Sequence, residues 1–174
     1  MTRIYTRSGD TGETGLANGS RIAKQDQLLE AIGDIDELNA HIGLIRAAKP
    51  DAIVDRQLAT IQHQLFDIGA QVAQYKDNPI DSQHVLQLEQ WIDLHQQALP
   101  SIKQFILPAG NHIASQVHLA RSICRRAERH VWLAAKHHHI ETEVMQYLNR
   151  FSDYLFVLAR LLNKDHEVFW QPGA

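Results

Sequence analysis

Apolar residues recur at alternating steps of three and four along five proline-free segments of the chain. This spacing places the apolar side chains on one side of a helix, where they form a seam that packs against other helices. The five segments are residues 25–48, 51–75, 82–99, 111–136 and 141–164. No segment shows the strict alternation that is typical of a strand. The pattern therefore predicts an all-α fold, a five-helix bundle of four long helices and one shorter one.

Residues 1–24 depart from this pattern, because they form a polar stretch interrupted by glycines. Gly9, Gly12, Gly15 and Gly19, four of the chain's nine glycines, lie in this stretch among hydroxyl and cationic side chains. Glycines let backbone N–H groups turn toward an anion, and hydroxyl and cationic groups add further donors. The stretch is therefore a candidate phosphate-binding loop. A disordered N-terminal tail is the alternative that its composition leaves open.

Length and charge narrow the class of protein. The 174 residues predict a single domain, with a loop at residues 1–24 and a helical bundle at residues 25–164. A net charge of −3 gives no basic field for nucleic acid. No apolar run reaches membrane-spanning length, and the single Cys124 suits a reducing compartment. We therefore expect a cytoplasmic protein that binds neither nucleic acid nor a membrane.

A cluster of charged residues marks the fourth predicted helix. Arg121, Arg125 and Glu128 follow each other at i, i+4 and i+7, so they share one face beside the apolar seam. Two guanidinium groups on one face suit a polyanion, because each presents a fork of donors to phosphate oxygens. A solvated helix face with ordinary charge pairs is the alternative.

Two further polar clusters lie on the first and fifth predicted helices. Asp36 neighbours the seam residue Ile35, so we expect it to face protein and to need a cationic partner from the fourth helix, in the same subunit or in another. On the fifth helix, Asn149 and Asp153 are spaced i, i+4. An amide at Asn149 could orient a ligand or tie two helices together.

Several motifs that would indicate other chemistry are missing from the sequence. It contains no Walker-type phosphate loop, no dinucleotide fingerprint, no H-E-x-x-H and no paired C-x-x-C. The run of histidines at residues 137–139 falls at a predicted helix end, where histidine suits the negative pole of the helix dipole. A surface turn is the favoured interpretation of this run, and a metal site is the alternative.

Five ordered blocks resemble one known family. They read YTRSGDTGET at residues 5–14, EAIGDIDELN at 30–39, FILP at 105–108, RSICRRAER at 121–129 and YLNRFSD at 147–153, with Lys24 between the first two. The chain resembles the PduO-type ATP:cob(I)alamin adenosyltransferases, also called corrinoid adenosyltransferases, from about Arg3 to Arg160. The resemblance implies a homotrimer of five-helix bundles with each active site between neighbouring subunits.

The resemblance also implies roles for individual residues. The N-terminal loop would wrap ATP, and Phe105 would lie against the lower face of the corrin. Asp36 and Arg121 match positions that form an ion pair between subunits. Arg125, Glu128 and Phe105 are the implied catalytic residues. The implied ATP-binding residues are Thr6, Arg7, Ser8, Gly9, Asp10, Gly12, Thr14, Lys24, Arg125, Arg126, Glu128 and Asn149.

The implied reaction transfers the 5′-deoxyadenosyl group of ATP to cob(I)alamin and releases triphosphate. Mg²⁺ would be held through the ATP phosphates and not by protein ligands. The implied substrates are ATP and cob(I)alamin or cob(II)alamin, with a reductase and a cobalamin-dependent acceptor enzyme as possible partners. Two other classes stay open from the residues alone: a nucleotide- or corrinoid-binding carrier or sensor without catalysis, and a structural bundle whose polar clusters serve only assembly.

Overall fold

The computed structural model describes residues 3–75 and 77–173, except for the side chain of Asp165. Residues 1 and 2 of the N-terminal loop and Lys76 lie outside the described residues. Two short strands come first, β1 (Glu13–Gly15) and β2 (Arg21–Ala23), and five helices follow. The helices are α1 (Gln27–Ala47), α2 (Ala52–Val72), α3 (Ser82–Gln96), α4 (His112–Ala134) and α5 (Thr142–Asn163), with a 3₁₀ turn at Lys164–His166.

The apolar seams of the helices form one core, which confirms the predicted helical bundle. Helix α4 packs between α1 and α5, α2 packs on α1, and α3 packs on α5. Every residue of the predicted seams of α1 and α2 is buried, from Leu28 to Ile45 and from Val54 to Val72. Burial of apolar surface is the main favourable term in folding, so these seams fix how the helices sit against each other.

Helix ends are set by local backbone chemistry, and every helix ends one to three residues before its predicted end. Asp26, Asp51 and Asn111 cap α1, α2 and α4 by accepting hydrogen bonds from first-turn N–H groups. Helix α2 ends at Val72 and not at residue 75, because Gln74 adopts the left-handed region with a φ of 70°.

The end of α3 was also predicted too late. The helix ends at Gln96 and not at residue 99, because Pro100 disfavours a helical conformation of the residue before it. Helix α5 ends at Asn163, one residue early, where Lys164 takes a φ of 48°.

A buried polar network crosses the core beside the apolar seams. Gln57 Oε1 lies 2.7 Å from His95 Nε2 and accepts a hydrogen bond from the Tyr154 hydroxyl. Gln64 Oε1 accepts one from the Tyr147 hydroxyl at 2.6 Å. These bonds join α2 to α3 and α5, and they satisfy polar groups whose burial would otherwise be costly.

Candidate functional site

The N-terminal segment folds as a hairpin arm on one end of the bundle. Strands β1 and β2 pair antiparallel, with Thr14 opposite Ile22. The expectation of no strands was therefore wrong at this point, because each strand has only three residues and leaves no readable alternation. Leu16 and Ile22 pack against the core. The described part of the segment is an ordered hairpin, and the alternative of a disordered tail is not supported there.

The loop before β1 is a series of tight turns tied to β2. Arg21 Nη2 donates to the carbonyl of Ser8 at 2.8 Å. The hydroxyls of Thr6 and Ser8 are 2.8 Å apart, and both residues are exposed. Gly12 has a φ of 87°, a conformation that favours glycine. The loop thus places the Thr6 and Ser8 side chains on the exposed surface of the arm.

Lys24 reaches back toward this loop. Its backbone N–H donates to the carbonyl of Gly12 at 2.9 Å. Its Nζ lies 3.2 Å from the position that a Cβ on Gly9 would occupy, so a side chain at Gly9 would crowd the ammonium group. The structure therefore brings Lys24 to the glycine turn of the candidate phosphate loop, and Thr6, Arg7, Ser8, Asp10 and Thr14 belong to the same arm.

The second candidate surface lies on α4 and α5. Asn149 Nδ2 donates to Glu128 Oε1 at 3.1 Å and so ties α5 to α4. Arg125 lies one turn before Glu128, on the same face, and is exposed. This group of Arg125, Glu128 and Asn149, the α4–α5 face, offers a cation, a carboxylate and an amide on neighbouring turns of α4 and α5. The amide does tie the helices together, and it remains exposed to solvent.

Arg126 points away from the α4–α5 face. Its Nε donates to Asp34 Oδ1 at 3.0 Å, and its Nη2 pairs with Glu37. His130 Nδ1 lies 2.7 Å from the other oxygen of Asp34. These contacts join α4 to α1. The hydrogen bond to Asp34 is the main cause that raises the pKa of Arg126, and the charges of Asp34 and Glu37 raise it further. Arg126 is thus engaged within the protomer, and a direct nucleotide contact by it stays a prediction.

Asp36 finds no cationic partner on α4 among the described residues of the protomer, and a partner in another subunit stays a prediction. Asp34, two residues earlier, is the buried carboxylate, because that side of α1 faces α4. Asp36 lies on another face, is exposed and lines a groove between α1 and α2. Arg121 is half-buried, its Nε has no partner, and no carboxylate pairs with it among the described residues. Burial and the neighbouring Arg125 lower the pKa of Arg121.

Phe105 lies in the loop that leads into α4, at the far end of the bundle from the arm. Its ring is 78% exposed and meets Trp170 edge-on, with centroids 6.1 Å apart. The backbones of the two segments pair: Leu107 N donates to Val168 O, and Trp170 N donates to Phe105 O, both at 2.8 Å. The C-terminal segment thus adds exposed apolar side chains beside Phe105.

The role of this C-terminal segment was missed in the sequence, because it lies beyond the last seam and outside the blocks of the resemblance. Asn163, also missed, is 1% exposed and bonds to the Ala109 carbonyl and the Asn111 N–H. Any side chain on Gly110, which has a φ of 124°, would collide with the Asn163 amide. The glycine and the amide together fix where the Phe105 loop joins α4.

A buried ion pair holds the C-terminal segment in place. Arg160, 4% exposed, donates to Glu167 at 2.7 Å and to the Pro100 carbonyl at 2.9 Å. We expect Glu167→Ala to cost about 3 kcal/mol of unfolding free energy, because it leaves a buried guanidinium short of its counter-charge. Thermal unfolding should show a fall in Tm of roughly 6–12 °C. Glu141→Ala, which removes an exposed carboxylate, is the control, and equal Tm values for the two variants would contradict the prediction.

Other reactive groups do not form a site of their own. Cys124 is fully buried, its Sγ contacts the Leu148 carbonyl, and burial raises the pKa of its thiol, so it is not a ready nucleophile. Residues 135–138 form a turn and a bend after α4, so the turn predicted at residues 137–139 begins two residues early and includes His137 and His138. The parts of the chain that the structure describes contain no group of three or more His, Cys, Asp or Glu that could hold a metal ion. Nor do they contain a helix long and apolar enough for a membrane span.

The arm and the α4–α5 face do not meet within one protomer. Among the described residues, no hydrogen bond or ion pair joins residues 6–14 or Lys24 to Arg125, Glu128 or Asn149. The arm rises from the end of the bundle where α4 ends, whereas Arg125 lies nine residues earlier on that helix, about 14 Å along its axis.

Known proteins share both the sequence and the fold. A family model described as cobalamin adenosyltransferase matches residues 4–162. A corrinoid adenosyltransferase of Mycobacterium tuberculosis is 43% identical, with 99% of this chain and 95% of that protein covered. One of Bacillus subtilis is 44% identical, with 92% and 86% covered.

Solved structures agree. A variant PduO-type ATP:corrinoid adenosyltransferase from Lactobacillus reuteri, complexed with cobalamin and ATP, superposes with a TM-score of 0.90 at 32% identity. The match covers 97% of this chain and 99% of that one. An ordered glycine-bearing arm, a cationic α4–α5 face and an exposed aromatic loop thus occur in a chain that belongs to the cobalamin adenosyltransferase family.

Proposed function

We propose that the arm of one protomer and the α4–α5 face of a neighbour bind ATP, and that Phe105 lies against a corrin beside it. ATP-dependent adenosyl transfer to a corrinoid is the activity of this chain. The observation that carries the proposed site is the α4–α5 face, where the exposed Arg125 stands beside the hydrogen-bonded pair of Glu128 and Asn149. Because the chain is a transferase, the alternatives of a non-catalytic carrier and of a structural bundle are set aside.

Adenosyl transfer to the corrinoid requires no covalent bond between the protein and either substrate. The Co(I) centre of the substrate attacks C5′ of ATP with its electron pair, a Co–C bond forms, and the C5′–O bond breaks. The bonding electrons leave with the triphosphate. Because the corrinoid supplies the nucleophile, the protein needs no nucleophilic side chain, and the buried Cys124 is not required. The task of the protein is to orient the substrates and to stabilise the leaving group.

Arg125 and Lys24 are suited to the leaving triphosphate. Both are exposed cations, and Arg125 makes no side-chain ion pair among the described residues. An unpaired guanidinium gives its donors to an incoming phosphate without first breaking a protein contact. The hydroxyls of the exposed Thr6 and Ser8 add further donors. Mg²⁺ would be held by the ATP phosphates and would neutralise part of their charge.

Phe105 is suited to contact the corrin. An apolar ring against the lower face of the corrin would displace the axial base and keep water from the cobalt. Loss of an electron-donating axial ligand makes Co(II) easier to reduce. The neighbouring Trp170 and Val168 extend the apolar surface, which suits a large flat ligand. A reductase as electron donor and a cobalamin-dependent enzyme as acceptor stay predictions.

The proposed assembly is a homotrimer, with Asp36 of one protomer paired to Arg121 of the next. Both side chains lack an ion-pair partner within the described part of the protomer. Asp36 also borders an apolar groove of about 370 Å³ between α1 and α2, beside Phe66, whose side chain is 73% exposed. A second copy of the chain would cover this apolar surface and complete the ion pair.

A charge exchange tests this assembly. We expect Asp36→Arg to shift the protein from trimer to monomer, because it places a cation against Arg121 at the interface. The double variant Asp36→Arg with Arg121→Asp should recover the trimer. The mass is measured by light scattering after gel filtration. Asp93→Arg, on the exposed side of α3, serves as the control. A monomeric wild type, or a trimeric Asp36→Arg, would remove the proposed pair.

The proposed nucleotide site is tested by calorimetry with MgATP, and the activity by the corrinoid spectrum as the Co–C bond forms. We expect ATP to bind in the absence of corrinoid, because neither the α4–α5 face nor the arm needs the corrinoid in order to form. Absence of any heat of binding, with Mg²⁺ present and the arm intact, would refute the proposed site.

A further inference from the structure

The base of the arm is fixed to the bundle at two points. Ala17 N donates to the Ala73 carbonyl at the end of α2, at 3.0 Å. After β2, the N-cap residue Asp26 follows Lys24 by two residues and contacts His138, which follows α4, at 2.9 Å. The first contact holds the hairpin turn, and the second holds the point where the chain leaves the arm for α1.

The Asp26–His138 contact is made by a partly buried carboxylate that also caps α1. Asp26 Oδ1 accepts from the N–H of Leu28, which caps α1, and from Nε2 of His138. Both side chains are about three-quarters buried, with exposures of 30% and 23%. The Leu28 N–H and, after it, His138 lower the pKa of Asp26, so the carboxylate is charged at neutral pH. A hydrogen bond to a charged, partly buried group is stronger than one between neutral groups.

His138 is itself rigidly placed by the turn that carries it. Its N–H donates to the Ala134 carbonyl in the last turn of α4, at 3.0 Å. Gln74 Nε2 donates to the carbonyl of His139 at 3.2 Å, which ties the same turn to the end of α2. The histidine thus connects the start of α1, where the arm ends, to the end of α4 in the same protomer.

We propose that His138 is a positioning residue for the nucleotide arm: its bond to Asp26 fixes the chain two residues beyond Lys24 and so sets where the Lys24 ammonium meets the glycine turn. The inference rests on the proposed function in assigning the arm to ATP. It gives a role to one member of the histidine run, which sequence reasoning assigned to a surface turn. The side chain of the neighbouring His139 is 82% exposed and pairs with Glu141.

Kinetics of His138→Ala test the consequence for ATP. We expect the KM for MgATP to rise about tenfold, the effect of losing one hydrogen bond to a charged group. The value of kcat at saturating ATP should stay within about twofold of wild type, because the arm makes the same contacts with ATP once the nucleotide is bound. His138→Gln places an amide N–H near the position of Nε2 and should recover most of the affinity. His139→Ala is the matched control and should leave KM unchanged.

Hydrogen exchange of the protein without ATP tests the tether separately. Opening of the arm's root should speed the exchange of Lys24 N–H and of the β1–β2 amides about tenfold in His138→Ala, relative to His139→Ala. Amides in the middle of α5 should not change, because the core is untouched.

The two readouts separate this inference from the proposed function. Unchanged exchange in the arm of His138→Ala would overturn the tether, whatever ATP does. Faster exchange with an unchanged KM for MgATP would overturn the positioning role. A wild-type protein that ignores MgATP refutes the nucleotide site, while the exchange measurement still tests the Asp26–His138 contact. Equal KM effects in His138→Gln and His138→Ala would also count against the hydrogen bond.

Discussion

Arg125→Ala is expected to lower kcat for adenosyl transfer by about 10²–10³-fold, the cost of removing one preorganised group that faces charge in the transition state. Negative charge grows on the triphosphate oxygen as the C5′–O bond breaks. Arg125 is exposed, and its side chain makes no ion pair among the described residues, so its guanidinium is available to this oxygen. The same exposure means that alanine leaves no cavity, and the free energy of unfolding should change by less than about 0.5 kcal/mol.

The comparison variants isolate the guanidinium. Arg125→Lys keeps the charge and loses the planar fork, so its kcat should fall between those of wild type and alanine. Arg129→Ala removes an arginine one turn further along α4 whose guanidinium donates to the Arg125 carbonyl, and it should retain near-normal turnover. Single-turnover rates at saturating MgATP provide the measurement. Turnover of Arg125→Ala equal to that of Arg129→Ala would remove Arg125 from the reaction.

The helical fold followed from the sequence because its determinants are local and periodic. The seam from Leu28 to Ile45 alone specifies which side of α1 is buried, and the structure buries all of it. Helix ends were less predictable, since the end of α2 depends on the left-handed conformation of Gln74, a residue type that carries no such signal. The buried hydrogen bonds of Gln57 and Gln64 were missed, because the sequence beside a seam does not show whether a polar residue has a hydrogen-bond partner on another helix.

The site was predictable in its parts and not in their arrangement. Arg125, Glu128 and Asn149 stand out by spacing and charge, and the structure brings them together. The sequence left open whether the partner of Asp36 lies in the same subunit or in another, because a neighbour of a seam residue can lie on either flank, and only tertiary packing decides that α4 covers Asp34. The Asp26–His138 contact joins residues that are 112 positions apart in sequence, and the Arg160–Glu167 pair spans the end of α5, so helical spacing indicates neither contact.

Phe105→Ala is expected to impair the reaction most when the substrate is cob(II)alamin with a reductant. The ring is 78% exposed in the protomer, so its apolar surface is available to a ligand. Contact of a phenylalanine side chain with an apolar partner is worth up to about 1.5–3 kcal/mol, which corresponds to roughly 10–100-fold in rate. If the ring acts by displacing the axial base, the loss should be several-fold smaller with cob(I)alamin supplied already reduced.

The spectrum of bound cob(II)alamin reports this step directly. Wild-type protein with MgATP should shift the spectrum toward the four-coordinate species, and Phe105→Ala should not. Phe105→Leu keeps apolar bulk and should retain part of the shift, while Ile102→Ala, an exposed apolar residue in the same loop, is the control. The Tm of Phe105→Ala should stay close to that of wild type, because the ring's one aromatic contact among the described residues is with Trp170. An equal loss with cob(I)alamin and cob(II)alamin would show that Phe105 serves corrin binding alone and not the removal of the axial ligand.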